Sequence, residues 1–496
     1  MLEVEELHGA YDPLHWRDYA LLIAFAWLVG LGGIIGRPLA NHDELRVAGI
    51  ARAMQLSGDY VTPRLNGRPF LEYPSLGYVP AAIALRIVGR PSEFAARFPI
   101  ALLGGVTVCL AAWAGASVGG RRRGVVTGLL LLTTFGFSNL MQKLVVDPVL
   151  VFFVTLSLAG FIHAWRFGSR RSAVCFWLGM AGGFLAKGLI GVGVPLVAAF
   201  GFLAALQGRK QFRGDDEIVL RPMGWIWGPF LLAAPIALWM WAVVQSGGAS
   251  LAAEAIRQSV HRFTAEHVDH AAPWYTYLTL VPYLTVPLLP IALSDLWASY
   301  RRGERAAPAL GRADLFGAVW FGLPLAALSI ASAKRAVYLG PLYPGAALIG
   351  AVLWERVRAR FPIARVWACG WLVVAAVGSV SWPHLVASQK TRTAGMKEFF
   401  ARVASERGDR PLVLYAPSEG LEGAAAFFTS ETTPEVNTLA ELAVVLGDRR
   451  RALVVTDERP DNGEPELALP GIEATKVAEV APEGRRTQAW KIDPRN

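Results

Sequence analysis

NHDELRVAGIARAMQLSGDYVTPRLNGRPFLEYPSLGY, residues 41–78, is the stretch that decides how this chain is read. It follows directly on an apolar run, YALLIAFAWLVGLGGIIG (19–36), long enough to cross a bilayer. It then presents Asp43, Glu44 and Arg46 together, followed by a helical pattern, a Gly-Asp turn and a proline-punctuated extended stretch through Glu72 and Tyr73. A spacer between membrane helices has no need of such chemistry. The rest of the chain must say what the stretch serves.

Composition places the chain in the membrane. Of 496 residues 54% are hydrophobic and 18% charged, against about 25% charged in an ordinary soluble domain. The net charge of +9 sits in short basic clusters between apolar spans, the pattern of topology signals and not of nucleic-acid binding. Cys109, Cys175 and Cys369 lie in apolar segments without metal-ligand spacing and read as small buried hydrophobes. The first span follows Arg17 and has no A-x-A cleavage pattern, so it is expected to be retained.

Eleven apolar spans are expected, at 19–36, 94–118, 124–139, 148–165, 172–186, 189–207, 224–245, 276–298, 313–332, 338–355 and 363–382. Basic clusters follow each even-numbered span: Arg121–Arg123, Arg166 to Arg171, Arg209 to Arg213, Arg301 to Arg305 and Arg356 to Arg360. Those loops and the N-terminus are therefore cytoplasmic. The segment 76–88 is short for a span and reads as a juxtamembrane or re-entrant helix. Counting it and a partner as crossing raises the total to thirteen. The outer face then collects the loop 37–93, the turns at Asp147, at Lys187 and at 332–338, the loop 246–275 and the tail.

From residue 385 the pattern changes. PLVLYA, RALVVTD, ATKVAEVA and TQAWKID read as strands, and 394–406, 420–428 and 438–447 as helices. The expected organisation is a mainly α, polytopic transmembrane domain over 1–384 and an extracytoplasmic α/β domain over 385–496. The tail carries no phosphate loop or metal cluster, so a docking or stabilising role is expected.

The outer face offers the carboxylates Asp43, Glu44, Glu72 and Asp147 and the cations Arg46, Lys187, Arg262, Lys334 and Arg335. An enzyme acting on a lipid phosphate needs cations for the departing phosphate and a carboxylate for the attacking hydroxyl's proton. Ordinary structural roles compete at each position. Asp43 could cap the helix that follows or pair with Arg46, and Asp147 could cap a helix opening at Pro148. Lys187 could snorkel, while Trp274, Tyr275, Tyr277 and Tyr338 could form an interfacial belt. His261, His267 and His270 match no standard metal spacing. A transporter or flippase of lipid-linked sugars would place charges at the bilayer midplane and show corresponding halves. Neither is visible here. A binder of polyprenyl phosphate without catalysis is the other alternative.

The ordered series of motifs resembles the lipid A aminoarabinose transferases (glycosyltransferase family 83), relatives of the protein mannosyltransferases in the GT-C superfamily. It runs from the opening stretch through EFAARFPIAL, VDPVLVFF, LAKGLIGVGVP and RFTAEHVDHAAPWYTYL to SAKRAVYLGPLYP, about residues 15–355. The resemblance implies a GT-C fold and inverting transfer of a sugar from a polyprenyl-phosphate donor on the extracytoplasmic side of the cytoplasmic (inner) membrane. The acceptor would be lipid A, another envelope glycolipid or polysaccharide, or a protein hydroxyl. It implies Asp43 as base, with Arg46 and Asp147 organising the site. Lys187, Arg262, Lys334, Arg335 and Tyr338 would hold the donor phosphate, and Glu44, Tyr73, His270 and Trp274 would line the substrate cavity. Glu72 matches a position tied to a divalent metal ion in the aminoarabinose branch. Three positions depart from the pattern: Tyr73 stands where the family has lysine, and Val47 and Gly49 where it has tyrosine and glutamate.

Overall fold

The computed structural model describes residues 12–39, 41–208, 223–264, 272–302, 311, 314–390, 395–447, 451–458, 471–481 and 486–494. Its first helix, α1 (Trp16–Gly32), leads into the 37–93 loop, where α2 (His42–Ser57), the short hairpin β1 (Arg64–Leu65) and β2 (Arg68–Pro69), and α3 (Val79–Val88) follow. The membrane body continues through α4 (Glu93–Thr133), α5 (Phe135–Leu140), α6 (Asp147–Phe167), α7 (Arg170–Lys187) and α8 (Ile190–Gly208). It is completed by α9 (Gly228–Thr264), α10 (Thr276–Leu284), α11 (Leu288–Arg301), α12 (Leu315–Ile330), α13 (Tyr343–Arg360) and α14 (Ala364–Lys390).

Six of these helices are long and apolar enough to cross a membrane, or seven if the bent pair α10–α11 is one span. The chain is a multi-pass membrane protein. The number is below the eleven to thirteen expected for identifiable reasons. Two expected spans, 94–118 and 124–139, lie in the single helix α4, which doubles back at Gly119 (φ −144°) and Gly120 (φ 80°). The second of these needs glycine, because a Cβ is disfavoured at that φ. The two arms then touch so closely that a Cβ on Gly124 would lie 2.6 Å from the Ala112 carbonyl. The span expected at 276–298 is instead broken by 90° between α10 and α11. Helices α1 and α12 are only 17 and 16 residues long. The outer segment 76–88 forms the short helix α3, and the expected loop 246–275 carries the last turns of α9 beyond Gly247 and Gly248.

Ion pairs gather the helix ends expected to be cytoplasmic. Arg121 donates to Asp18 at 2.6 and 2.9 Å, Arg123 joins Asp314 to Glu355, and Arg360 meets Asp295 at 2.9 Å. None of the outer-face candidates takes part in these pairs.

The tail forms a five-stranded sheet in the order β4 (Glu435–Val436), β3 (Leu412–Tyr415), β5 (Ala452–Asp457), β7 (Thr487–Pro494), β6 (Ile472–Val480). The β4–β3–β5 pairings are parallel and the β5–β7–β6 pairings antiparallel. Helix α15 (Met396–Arg407) and α16 (Glu419–Thr429) cover one face, and α17 (Leu439–Leu446) packs on the other. The four strands and three helices expected from hydrophobic pattern are present. The two-residue β4 is too short to leave a periodic signal.

The tail does not stand apart from the membrane body. A single apolar core runs from Leu45, Ile50 and Met54 of α2 to Leu421 and Phe427 of α16 and Leu453 of β5. The two helices cross at Gly49 and Gly423, where a Cβ on Gly49 would fall 2.5 Å from the Gly423 backbone. Gly49→Val is expected to force the helices apart at a cost of about 1–3 kcal/mol. The measurement is a lowered melting temperature in detergent together with easier proteolytic release of the tail; a wild-type melt and digest would show that the crossing does not need glycine.

Candidate active site

Helix α2 distributes its chemistry by position, since successive residues turn by about 100°. Asn41 caps it, accepting from the Asp43 N–H at 3.0 Å. Asp43 therefore sits inside the first turn and its carboxylate is available for side-chain partners. Arg46, three residues on, shares its face and donates from Nη2 to Asp43 Oδ1 at 3.0 Å. The other Asp43 oxygen pairs with Arg335, from the 332–338 turn. Burial raises the Asp43 pKa, but the charges of Arg46 and Arg335 outweigh it and hold the carboxyl below its ordinary value. Asp43 is ionised at neutral pH.

Glu44 faces the other way, and the expectation that it lines a substrate cavity is corrected. Its carboxylate is buried and gripped by Arg97 through Nε and Nη2, both at 2.8 Å, by Arg37 Nη2 at 3.1 Å and by the Leu144 N–H at 2.9 Å. Burial raises its pKa, yet Arg97 and Arg37 lower it to about 2. This is a structural knot, with all its partners supplied by protein. Arg37 and Arg97 went unnoticed in the sequence because nothing in their spacing ties them to residue 44.

A second cluster lies where the start of α6 meets the end of α7. Asp147 makes no helix-capping bond; its carboxylate pairs with Lys187. The Lys187 ammonium stands 5.4 Å from the Tyr73 ring centroid and 5.0 Å from that of Tyr338. Both faces attract a cation. Tyr73, where the family pattern has lysine, thus supports a neighbouring cation through its ring. The turn carrying Arg335 and Tyr338 belongs to both clusters, and the Arg335 charge is also felt by Asp147.

The remaining expected residues are placed differently. Lys334 donates its ammonium to the carbonyls of Ala272, at 3.0 Å, and Ala331, clear of both clusters. Trp274 is exposed, with its ring edge against Tyr275, and does not line an enclosed cavity. Glu72 is half-buried. Among the described residues no three His, Cys, Asp or Glu side chains converge on a metal-sized site; the side chains of His261 and His267 lie outside those residues, and no chemistry is assigned to a metal. The Arg262 side chain and His270 lie outside the described residues.

The tail contributes directly to this face. His42, Arg46, Gly49 and Arg52 recur at helical spacing along α2, and each meets the tail. His42 Nε2 accepts from the Gly420 N–H at 3.1 Å, Arg46 pairs with Glu419, and Arg52 donates to Ser430 at 2.8 Å. The Gly49 departure from the family pattern has its reason here: a glutamate would collide with Gly423. Beside the crossing, Arg68 bridges Glu422 at 2.9 Å and Glu435. Asn66 exchanges two hydrogen bonds with the Thr433 backbone, at 2.8 and 2.9 Å. Sequence pattern could not pair these residues across more than 350 positions.

Comparisons with known proteins agree with this architecture. Residues 74–241 match the family described as dolichyl-phosphate-mannose-protein mannosyltransferase. The undecaprenyl phosphate-alpha-4-amino-4-deoxy-L-arabinose arabinosyl transferase of Pseudomonas aeruginosa is 31% identical over 365 residues, 68% of this chain and 60% of that protein. Its counterpart in Edwardsiella ictaluri is 27% identical over 346 residues, 69% of this chain and 59% of that protein. The chain thus spans about 60% of the length of the curated relatives it matches. The crystal structure of ArnT from Cupriavidus metallidurans bound to undecaprenyl phosphate superposes with a TM-score of 0.75 at 19% identity, covering 95% of this chain and 97% of that one. The oligosaccharyltransferase AglB of Archaeoglobus fulgidus gives 0.54 at 12% identity, covering 89% and 69%.

Two outcomes test the site's construction. Glu44→Gln leaves Arg97 and Arg37 without their counter-charge, and losing one partner of a buried pair costs about 3–5 kcal/mol. The expected result is a low yield of folded protein; a stably folded variant would show that the knot is dispensable. Docking of the tail is expected to depend on pH through Glu422. Burial, reinforced by the nearby Glu435 and Glu419 carboxylates, pushes its pKa from 4.5 up to about 7 against the pull of Arg68. A raised pKa contributes stability that is full below about 4.5 and lost as pH rises through about 7. The melting temperature should therefore rise between pH 8 and pH 5.5, and Glu422→Gln should flatten that dependence.

Proposed function

We propose that this chain, which has the GT-C fold and resembles the lipid A aminoarabinose transferases, is a glycosyltransferase. It moves a sugar from a polyprenyl-phosphate donor to a hydroxyl of an envelope acceptor, with lipid A the acceptor that the family resemblance points to. The reaction takes place on the extracytoplasmic face of the cytoplasmic membrane, with the N-terminus inside. The basic helix ends gathered opposite the site support that orientation.

One observation carries the chemistry. Asp43 is an ionised, half-buried carboxylate fixed by two arginines, and the turn that supplies Arg335 also supplies Tyr338 to the Lys187 cluster. Proton acceptor and anion-binding groups are therefore built on one scaffold. The acceptor oxygen attacks the anomeric carbon from the face opposite the phosphate, which inverts the centre. Its proton passes to Asp43 as the new bond forms. The glycosidic bond to the donor phosphate breaks, and polyprenyl phosphate leaves with the electron pair. Lys187 and Arg335 are placed to balance the charge that accumulates on that phosphate, in surroundings where water screens little. Asp147 and the two tyrosine rings hold the lysine in position.

Transfer by purified protein in lipid, with a panel of undecaprenyl-phosphate sugars and lipid A, tests this reading. Wild type should release undecaprenyl phosphate, and Asp43→Asn should lose about a hundredfold or more of the turnover while retaining donor. Lys187→Met should instead weaken donor binding. No turnover with any donor and acceptor would overturn the assignment in favour of binding or transport.

A further inference from the structure

The transfer site draws a residue from the C-terminal domain. Arg46 is bonded at once to Asp43 and to the tail: Nη2 donates to Asp43 at 3.0 Å and Nη1 pairs with Glu419. The guanidinium is largely buried, with its carbon 5.6 Å from the Phe70 ring centroid. Its Nε–H is buried with no acceptor among the described residues. Two of its edges are therefore fixed by carboxylates.

Glu419 is itself held firmly. It opens α16, immediately after Ser418, whose hydroxyl caps that helix by accepting from the Leu421 N–H at 3.3 Å. The Ser418 N–H donates to Asp457 at 3.0 Å, and its hydroxyl bonds the other oxygen of the same carboxylate. Asp457 is the buried last residue of β5. The next residue along α16, Gly420, donates to His42 at the start of α2. A continuous polar chain thus runs from the central strand of the tail through Ser418, Glu419 and Arg46 to Asp43, which Arg335 secures from the other side.

We propose that Glu419 is a positioning residue for sugar transfer, fixing Arg46 so that Asp43 faces the reacting acceptor. The proposal rests on the glycosyltransferase reading above. Without the Glu419 charge, Arg46 is free to turn its second amine onto Asp43. A bidentate pair of that kind would add a second Arg46 donor to a carboxylate whose other oxygen already pairs with Arg335, making Asp43 a poorer acceptor for the incoming proton. Glu419 thus keeps Arg46 shared and Asp43 available. The tail thereby acts on the chemistry as well as on the stability of the outer loop.

The test compares full-length wild type, E419Q, E419D and R68M in lipid nanodiscs, with undecaprenyl-phosphate aminoarabinose among the donors and lipid A as acceptor. R68M removes the neighbouring Glu422 and Glu435 pairs from the same interface without touching Arg46, and so reports on docking alone. In E419Q, kcat should fall by about ten- to a hundredfold, the scale of a misplaced reacting group, with the donor KM within about twofold of wild type. E419D, shorter but charged, should fall between the two. R68M should lower the melting temperature and keep the wild-type kcat. Wild-type kcat in E419Q overturns the inference while leaving the glycosyltransferase reading intact. So does an equal kcat loss in R68M, which would make docking the cause. If E419Q does not fold, an E419D kcat equal to wild type overturns it. Absence of wild-type turnover with every donor overturns the underlying reading, and the inference falls with it.

Discussion

The buried carboxylate of Glu44 is the constraint on which the candidate site depends. It accepts from Arg37 at the exit of the first helix, from Arg97 in the first turns of α4 and from the Leu144 N–H ahead of α6. Arg97 also donates to the carbonyls of Arg37 and Pro38, at 2.7 and 3.0 Å, closing the knot on itself. Four chain segments meet at one anion. Such a group is expensive to bury, and the cost is met only because both oxygens find charged or backbone donors. The knot sets the rotation of α2 about its axis. That rotation determines which residues face the membrane body and which face the tail.

With α2 fixed, its other positions acquire separate tasks. Asp43 and Arg46 lie at the junction between the membrane body and the C-terminal domain, while Gly49 lets α16 approach within backbone contact. The apolar residues Leu45, Ile50 and Met54 merge with the core of the tail. The C-terminal sheet therefore behaves as a wall of the site and not as a separate appendage. Its polar seam, from Arg68 and Asn66 to Glu422 and Thr433, gives the contact direction as well as area.

The second cluster uses different physics. Asp147 and Lys187 pair where the start of one helix meets the end of the next, and the lysine lies between two tyrosine rings. A cation supported by a single carboxylate and two π faces remains attractive to an incoming phosphate. A cation saturated with carboxylates would not. Lys334 shows the contrast: two carbonyls hold its ammonium and thereby tie the segment at Ala272 to the end of α12. Neighbouring basic residues in SAKR thus serve opposite ends, one architectural and one facing Asp43.

The amino-acid sequence by itself determined the membrane class, most helix positions, the small α/β tail and the loops and helix ends that carry Asp43, Asp147, Lys187 and Arg335. These features are written in local patterns: apolar length, strand and helix period, basic flanks and an ordered series of motifs. Only the tertiary structure decided that neighbouring Asp43 and Glu44 diverge, one toward Arg46 and Arg335 and one into a buried knot. A helix turns through 100° per residue, and nothing local says which side will be covered. The hairpin inside α4 and the break between α10 and α11 were likewise hidden, because apolar length does not report where a chain bends. The link from Glu419 to Arg46 was hidden most deeply. It joins residues 373 positions apart, and such pairings exist only once packing has brought two separately legible elements into contact.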